Sequence, residues 1–310
     1  DDLRKALFSG ARHLEANHGI LDRLNVFPVP DGDTGSNMVV TYKAGINALT
    51  GVETRSIHEI SSNMTPALLK ESRGNSGFIL ARFFTGFFEV AGSHDRLDSS
   101  VMSEGFANGS YQVATSLYSP VEGTAVTIIS VMTEAIGSAV DRTPAESLRH
   151  AIGRAREALD RTPEMLPVLS RAGVVDSGAL GFIMLMEGIL SGIVDAPLPV
   201  ETEARYRFEP TGGTEPGMIG ELGSSREGNP AEPEFYRYCT EIVVSGFSGM
   251  SQADLREYLS ARGNSIALVV DKDMLKLHIH TDNPTELVEH LGSMGTIEKS
   301  KIEDMLEQMR

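Results

Sequence analysis

At 310 residues and 41% hydrophobic content, the chain is long enough to bury the cores of two domains. Its 27 basic side chains against 43 acidic ones leave a formal charge of −16 with no local basic patch, which repels nucleic-acid backbones and anionic membrane surfaces and excludes a nucleic-acid function. A single cysteine gives no internal disulfide framework, no stretch reaches the roughly 18 consecutive apolar residues of a membrane span, and no signal-peptide apolar region opens the chain, so a cytoplasmic protein is expected.

The chain opens at Asp1 without an initiator methionine, so a few residues ahead of it are expected to have been trimmed. Residues 1 to 194 predict helix after helix. Apolar residues recur at helical spacing at Leu3, Leu7, Ala11 and Leu14, at Met38, Tyr42, Ile46 and Leu49, and at Ile79, Phe83, Phe87 and Val90. The pattern continues through Val126, Ile129, Met132 and Ile136, through Leu148, Ile152, Ala155 and Leu159, and through Leu180, Ile183, Glu187 and Leu190. Each stripe reads as core packing, and the domain is expected to be all-α. Residues 195 to 234 hold six prolines and six glycines with scattered acids; they predict a linker, cleavable between Pro197 and Pro233. From residue 235 the periodicity shortens. Strands are expected at residues 236 to 244, 265 to 270 and 275 to 281, the last two turning through Asp271, Lys272 and Asp273. Helices are expected over residues 251 to 262, capped by Ser251, and 284 to 291, opened by Pro284. The order β-α-β-β-α predicts a small two-layer α/β domain over residues 235 to 310.

Two constellations carry chemistry. Residues 25 to 38 read Asn-Val-Phe-Pro-Val-Pro-Asp-Gly-Asp-Thr-Gly-Ser-Asn-Met. Asp31 and Asp33 lie two apart, so in an extended loop their carboxylates can converge on a hard cation such as Mg²⁺. Thr34, Gly35, Ser36 and Asn37 then begin a helix whose N–H groups and positive dipole end suit phosphate oxygens. The same Asp-Gly-Asp-Thr-Gly run can also form an Asx-type turn that caps a helix without any ligand. No Gly-x-x-x-x-Gly-Lys-Ser/Thr run occurs, which excludes a P-loop. In the second constellation His278 and His280, two apart on a strand, face the same side, and Cys239 starts a strand that can lie alongside. Cysteine with two histidines suits Zn²⁺ with an open fourth position, for which Asp282 is a candidate ligand or supporting partner. A small buried cysteine beside capping histidines is the alternative. The remaining histidines have no comparable neighbours, and the methionines read as core filler.

Residues 25 to 38 resemble the signature of the ATP-binding domain shared by the L subunit of dihydroxyacetone kinase and by bacterial fatty acid kinase. The Val-Phe-Pro-Val-Pro lead and Thr34 resemble the fatty acid kinase branch; the dihydroxyacetone branch has Gly-Asp-Gly-Asp-His-Gly there. The likeness continues through residues 72 to 77 (Ser-Arg-Gly-Asn-Ser-Gly), 120 to 124 (Pro-Val-Glu-Gly-Thr) and 172 to 178 (Ala-Gly-Val-Val-Asp-Ser-Gly), and through Tyr238-Cys239-Thr240-Glu241 and residues 278 to 284. It implies an all-α eight-helix barrel that binds ATP and Mg²⁺ at one end. Asp31 and Asp33 correspond to the family's magnesium aspartates, and Asn25 is the nearest counterpart of a third, upstream one. Thr34, Gly35, Ser36 and Asn37 correspond to its phosphate loop, and Ser76 and Gly77 to a second phosphate-side turn. Gly123 and Thr124, with Asp176, Ser177 and Gly178, correspond to loops around base and ribose, although Ser76, Thr124 and Asp176 also suit helix capping. Cys239, His278 and His280 correspond to functionally important residues of the family's middle domain.

The implied activity is ATP-dependent phosphorylation of a fatty acid carboxylate, presented by a separate fatty-acid-binding protein, to an acyl phosphate. A carboxylate with a pKa of about 4 to 5 is already ionised and needs no strong general base. A homodimer is expected. Family members carry a further C-terminal domain, so a chain ending at Arg310 is expected to be a fragment or a shortened relative. Two alternatives are a dihydroxyacetone kinase of the L type, against which Thr34 and the domain at residues 235 to 310 argue, and an ATP-binding or dimerisation module without turnover.

Overall fold

The structure, a computed structural model, describes residues 2–139, 141–198, 201–208 and 236–308. Among these residues the chain forms thirteen α-helices, one 3-10 helix and four β-strands. They group into two compact units: residues 1–28, 32–115 and 120–212 form the first, and residues 29–31, 116–119 and 213–310 the second.

The first unit is helical. Its long helices are α1 (Asp2–Leu24), α2 (Thr34–Ala48), α3 (Ile57–Glu71), α4 (Gly74–Ala91), α5 (Ser99–Ser116), α6 (Ala125–Gly137), α7 (Pro144–Leu159) and α10 (Ser177–Val194). The short α8 (Thr162–Met165) and α9 (Pro167–Ala172) lie between α7 and α10. Met38, Tyr42, Ile46 and Leu49 are all buried, as are Leu148, Ile152, Ala155 and Leu159, so these stripes face the core. Helices α3 and α5 lie outside the six stripes. A proline stands inside α3 at Pro66, and α5 holds five serines and two glycines, which blurs the apolar period in both. On α4 the buried face is wider than a stripe, because Phe78, Leu80, Phe83, Phe84, Phe87 and Phe88 all turn inward. Phe83 meets Phe106 and Phe182 edge-on at ring-centroid distances of 5.1 and 4.9 Å.

Helix α10 is long and apolar enough to cross a membrane by length and composition, but 72% of it is buried inside the fold. It is the core helix of this unit and packs along α1, where glycines permit unusually close contact. A Cβ on Gly188 would stand 2.7 Å from the Gly10 Cα, too near for any side chain.

Within the segment expected as a linker, residues 201–208 carry the 3-10 helix Glu203–Tyr206 and are fastened to the first unit. Arg156 on α7 grips Glu187 on α10 with two N–H donors at 2.6 and 2.8 Å, and also donates to Glu201 at 2.8 Å and to the Tyr206 hydroxyl at 3.3 Å. The Val175 N–H donates to the Tyr206 carbonyl and the Phe208 N–H to the Gly173 carbonyl, so this segment braces residues 173–175. The greater part of the expected linker and of its expected cleavage window, residues 209–235, lies outside the described residues.

The second unit is a four-stranded antiparallel sheet of order β2-β3-β1-β4, built from β1 (Tyr238–Ser245), β2 (Gly263–Asp271), β3 (Met274–Thr281) and β4 (Thr296–Asp304). Helices α11 (Gln252–Ser260) and α12 (Pro284–Gly292) cover one face. Leu255, Leu259, Leu287 and Leu291 join Ile242, Val244, Leu275, Leu277 and Ile279 in one apolar core. The sequence predicts three of these strands and both helices; β4 and the short α13 (Met305–Gln308) come in addition. Strand β4 (Thr-Ile-Glu-Lys-Ser-Lys-Ile-Glu-Asp) is an edge strand with no fully buried residue, so no apolar run announces it.

Candidate functional site

Four helices of the first unit bring their N-termini to one end. Ser76, in the first turn of α4, donates from Oγ to the Thr34 carbonyl at 3.4 Å. The Arg73 N–H donates to Thr41 Oγ1 at 3.1 Å, and a Cβ on Gly77 would stand 2.3 Å from that same oxygen, so the starts of α2 and α4 interlock. Helices α2 and α10 touch at their fifth residues, where a Cβ on Gly181 would stand 2.5 Å from Met38 Sδ. Asp176, the N-cap of α10, accepts from the Ala179 N–H at 2.7 Å and also from the amides of Gly178 and Ala125, the latter being the first residue of α6. One carboxylate thus joins two helix starts. Aligned peptide dipoles put partial positive charge at these helix starts, a setting suited to the oxygens of a polyanion.

The start of α2 is capped from α1 and the loop that follows it. Asn25 Oδ1 accepts from the Asp33 N–H (3.2 Å), the Thr34 N–H (3.2 Å) and the Thr34 hydroxyl (2.9 Å). Asp22 accepts from the Ser36 N–H at 2.9 Å and from its hydroxyl at 2.7 Å. Asp33 holds the N-cap position, yet its side chain makes no hydrogen bond into the first turn. Gly35 lies so close to α1 that a Cβ would stand 2.3 Å from the His18 carbonyl oxygen. The approach loop carries a cis Phe27–Pro28 peptide and Gly32 at φ +68°. Asp31 belongs to the second unit and Asp33 to the first, on either side of Gly32.

Thr124 caps α6, accepting from the Val126 N–H at 3.3 Å, and Gly123 beside it takes φ +81° against Met165. Ser177 and Asp176 are buried. Burial is the larger influence on Asp176 and pushes its pKa from the ordinary 3.8 up to about 7, against the amides that stabilise its charged form. The expected residues Thr34, Gly35, Ser36, Asn37, Ser76, Gly77, Thr124, Asp176 and Gly178 therefore sit at the four helix starts. Asp22 is the participant that sequence reasoning misses: it is fourteen positions before Ser36 and carries no local capping signature.

In the second unit Cys239 pairs with His280 across the β1–β3 ladder, and Glu241 pairs with His278. The ligand atoms of Cys239, His278 and His280 lie within 4.8 Å of one another. Cys239 Sγ is 3.8 Å from His278 Nδ1, and Glu241 Oε1 is 3.6 Å from that nitrogen. His278 Nε2 is buried without a hydrogen-bond partner among the described residues. Burial opposes charge on His278, but Cys239 and Glu241 together raise its pKa to about 10. His280 is pushed down to about 3 by burial and by His278 beside it, which leaves a neutral imidazole. Asp282 is exposed and accepts from the Arg237 N–H at 2.8 Å; it does not join the cluster. Glu241 and Lys276, both buried on the same sheet face, go unremarked in the sequence, although i, i+2 spacing from Cys239 and His278 marks them.

The donor set fits zinc. Ligands around one tetrahedral zinc stand roughly 3.3–3.6 Å apart; here Cys239 Sγ and His278 Nδ1 are 3.8 Å apart and all three ligand atoms lie within 4.8 Å, and the buried His278 Nε2 has no hydrogen-bond partner among the described residues. The Asp31 and Asp33 carboxylates are hard oxygen donors of the kind magnesium takes.

Residues 28–191 match the family model of the DAK2 domain, and residues 235–310 match that of the FakA-like middle domain of fatty acid kinase. Two uncharacterized proteins of Staphylococcus aureus, from strains bovine RF122 / ET3-1 and USA300, are each 31% identical to this chain over 309 residues, 98% of this chain and 55% of their own length. The chain spans about half the length of the curated relatives it matches.

The raised pKa of Asp176 predicts a pH dependence of stability. The folded protein holds this proton more tightly than the unfolded chain. The contribution is therefore fully present below about pH 4 and is lost as pH rises through about 7, a change of a few kcal/mol. Asp176→Asn keeps an acceptor for Ala179 and removes the titration. Denaturant unfolding at a series of pH values should show the wild type losing stability relative to the variant between about pH 4 and 7. A constant difference across that range would contradict the buried, proton-holding carboxyl.

Proposed function

Because this chain belongs to the FakA family of fatty acid kinases, we propose that it binds Mg²⁺–ATP in its helical unit and phosphorylates a fatty acid carboxylate, held by a separate fatty-acid-binding protein, to an acyl phosphate. The family is a kinase family, and the middle-domain match favours the fatty acid branch over the dihydroxyacetone kinase type. The observation that carries the reading is the gathering of the α2, α4, α6 and α10 N-termini, with the Asp31-Gly32-Asp33 loop leading into α2.

In this reading the helical unit is the family's eight-helix barrel. Asp31 and Asp33 hold the magnesium ion, which offsets phosphate charge. Thr34, Gly35, Ser36 and Asn37, with Ser76 and Gly77, line the phosphates, while Gly123, Thr124, Asp176, Ser177 and Gly178 lie toward base and ribose. Asn25 and Asp22 position rather than ligate, because their oxygens already hold the first turn of α2. Transfer to a carboxylate asks for alignment and charge neutralisation more than for a general base, and the fixed dipoles of this end serve those needs. Cys239, His278 and His280 bind zinc, with Glu241 orienting His278. Zinc would supply a Lewis-acidic centre with one open position.

Calorimetric titration with ATP in the presence of Mg²⁺ tests the first site. Asp31→Ala and Asp33→Ala should each abolish metal-dependent binding and leave the helical circular dichroism intact. Wild-type affinity in both variants would remove the assignment. The second site is tested by metal analysis of protein purified without chelator. About one zinc per chain is expected, lost in each of Cys239→Ala, His278→Ala and His280→Ala. A wild type that stays metal-free after zinc reconstitution would reduce the cluster to packing.

A further inference from the structure

Among the described residues, one cation at the gathered helix starts has no partner for its side chain. Arg73 is the N-cap residue of α4, and its backbone N–H is tied to Thr41 Oγ1 on α2. Gly74 beside it takes φ +58° and passes so close to α2 that a Cβ would stand 2.7 Å from Asn37 Nδ2. The backbone of Arg73 is thus fixed between two helix starts. Its side chain is not so held: Nε is buried with no hydrogen-bond partner, and the guanidinium forms no ion pair among the described residues. Arg156 in the same unit shows the ordinary outcome, with its guanidinium shared among Glu187, Glu201 and Tyr206.

An unmet buried donor costs about 1–3 kcal/mol, more when charged, and a chain with 16 excess negative charges does not lack acidic partners. A guanidinium left open on the N-cap residue of α4 suits an acceptor that arrives from outside. Its planar fork matches the paired oxygens of a phosphate, and the chain has no P-loop lysine to do that work. We propose that Arg73 is a phosphate-binding residue of the nucleotide site, engaging the phosphate chain of ATP through its guanidinium. This role rests on the nucleotide site proposed above and adds to it the side-chain cation that dipoles and metal leave out.

The test is calorimetry in Mg²⁺ on wild type, Arg73→Gln and Arg73→Lys with ATP and with inorganic tripolyphosphate, alongside adenosine binding by saturation-transfer NMR and thermal melts. Arg73→Gln should weaken ATP and tripolyphosphate by about tenfold or more and leave adenosine unchanged; Arg73→Lys, which keeps the charge and loses the fork, should fall between. A folded Arg73→Gln that binds ATP within about twofold of wild type overturns the role, and so does an equal weakening of adenosine, which marks a structural residue. Should Arg73→Gln fail to fold, unchanged ATP affinity in Arg73→Lys overturns it. A wild type that binds neither ATP nor tripolyphosphate overturns the nucleotide site together with this role, whereas a binding wild type with insensitive variants overturns the role of Arg73 alone.

Discussion

Close contact between helices, made possible by glycine, is the constraint on which the helical unit depends. Gly188 on α10 and Gly10 on α1 meet backbone to backbone, Gly35 seats the start of α2 on the His18 carbonyl, and Gly181 admits Met38 against α10. A methyl group at any of these points would have to displace a neighbour, at a typical overpacking cost of ~1–3 kcal/mol. The consequence is positional. With α1, α2 and α10 drawn this close, the starts of α2 and α10 fall side by side, and α4 and α6 are added through Ser76 and Asp176. Arg156 and residues 201–208 hold the opposite flank of the Asp176 loop in place.

The electrostatics of that end follow from how its orphan amides are met. Asn25, Asp22, Thr124 and Asp176 each accept from helix-start donors, so the turns are formed before any ligand arrives. Preformed turns lower the ordering cost of binding. They also bring carboxylates to a place that favours anions, and the raised pKa of Asp176 records the strain of burying one there. A polyphosphate can enter such a site only with cations. Magnesium on the aspartate loop and the open guanidinium of Arg73 supply them in the functional reading proposed here. The middle unit solves a different problem. Its helix-covered face is mostly apolar, while the other face carries the half-buried Cys239 and buries Glu241, Lys276, His278 and His280, groups that stability alone does not ask for.

Much of this was legible in the amino-acid order. The all-α reading of the first unit followed from 3.6-residue stripes, most of whose members are buried, and the nearness of Cys239 to His278 and His280 followed from two-residue alternation on a strand expected to lie alongside its own. The Asp-Gly-Asp-Thr-Gly run named the loop that opens α2. What stayed hidden shares one cause, distance along the chain. Asp22 caps a helix fourteen residues later, Asp176 reaches the start of α6 some fifty residues back, and the open state of Arg73 shows only when the surrounding side chains are placed. Strand β4 was missed for a local reason: an edge strand need not bury an apolar run, so its sequence reads as charged loop.

The central claim is that four helix starts, far apart in sequence, form a single nucleotide site. Amide hydrogen exchange with and without Mg²⁺–ATP tests it most directly, because a ligand seated on the helix starts suppresses the local opening through which their amides exchange. Protection should arise together at residues 34–37, 74–77, 123–126 and 176–179. Protection confined to other parts of the helical unit, or none at saturating ATP, would contradict the account.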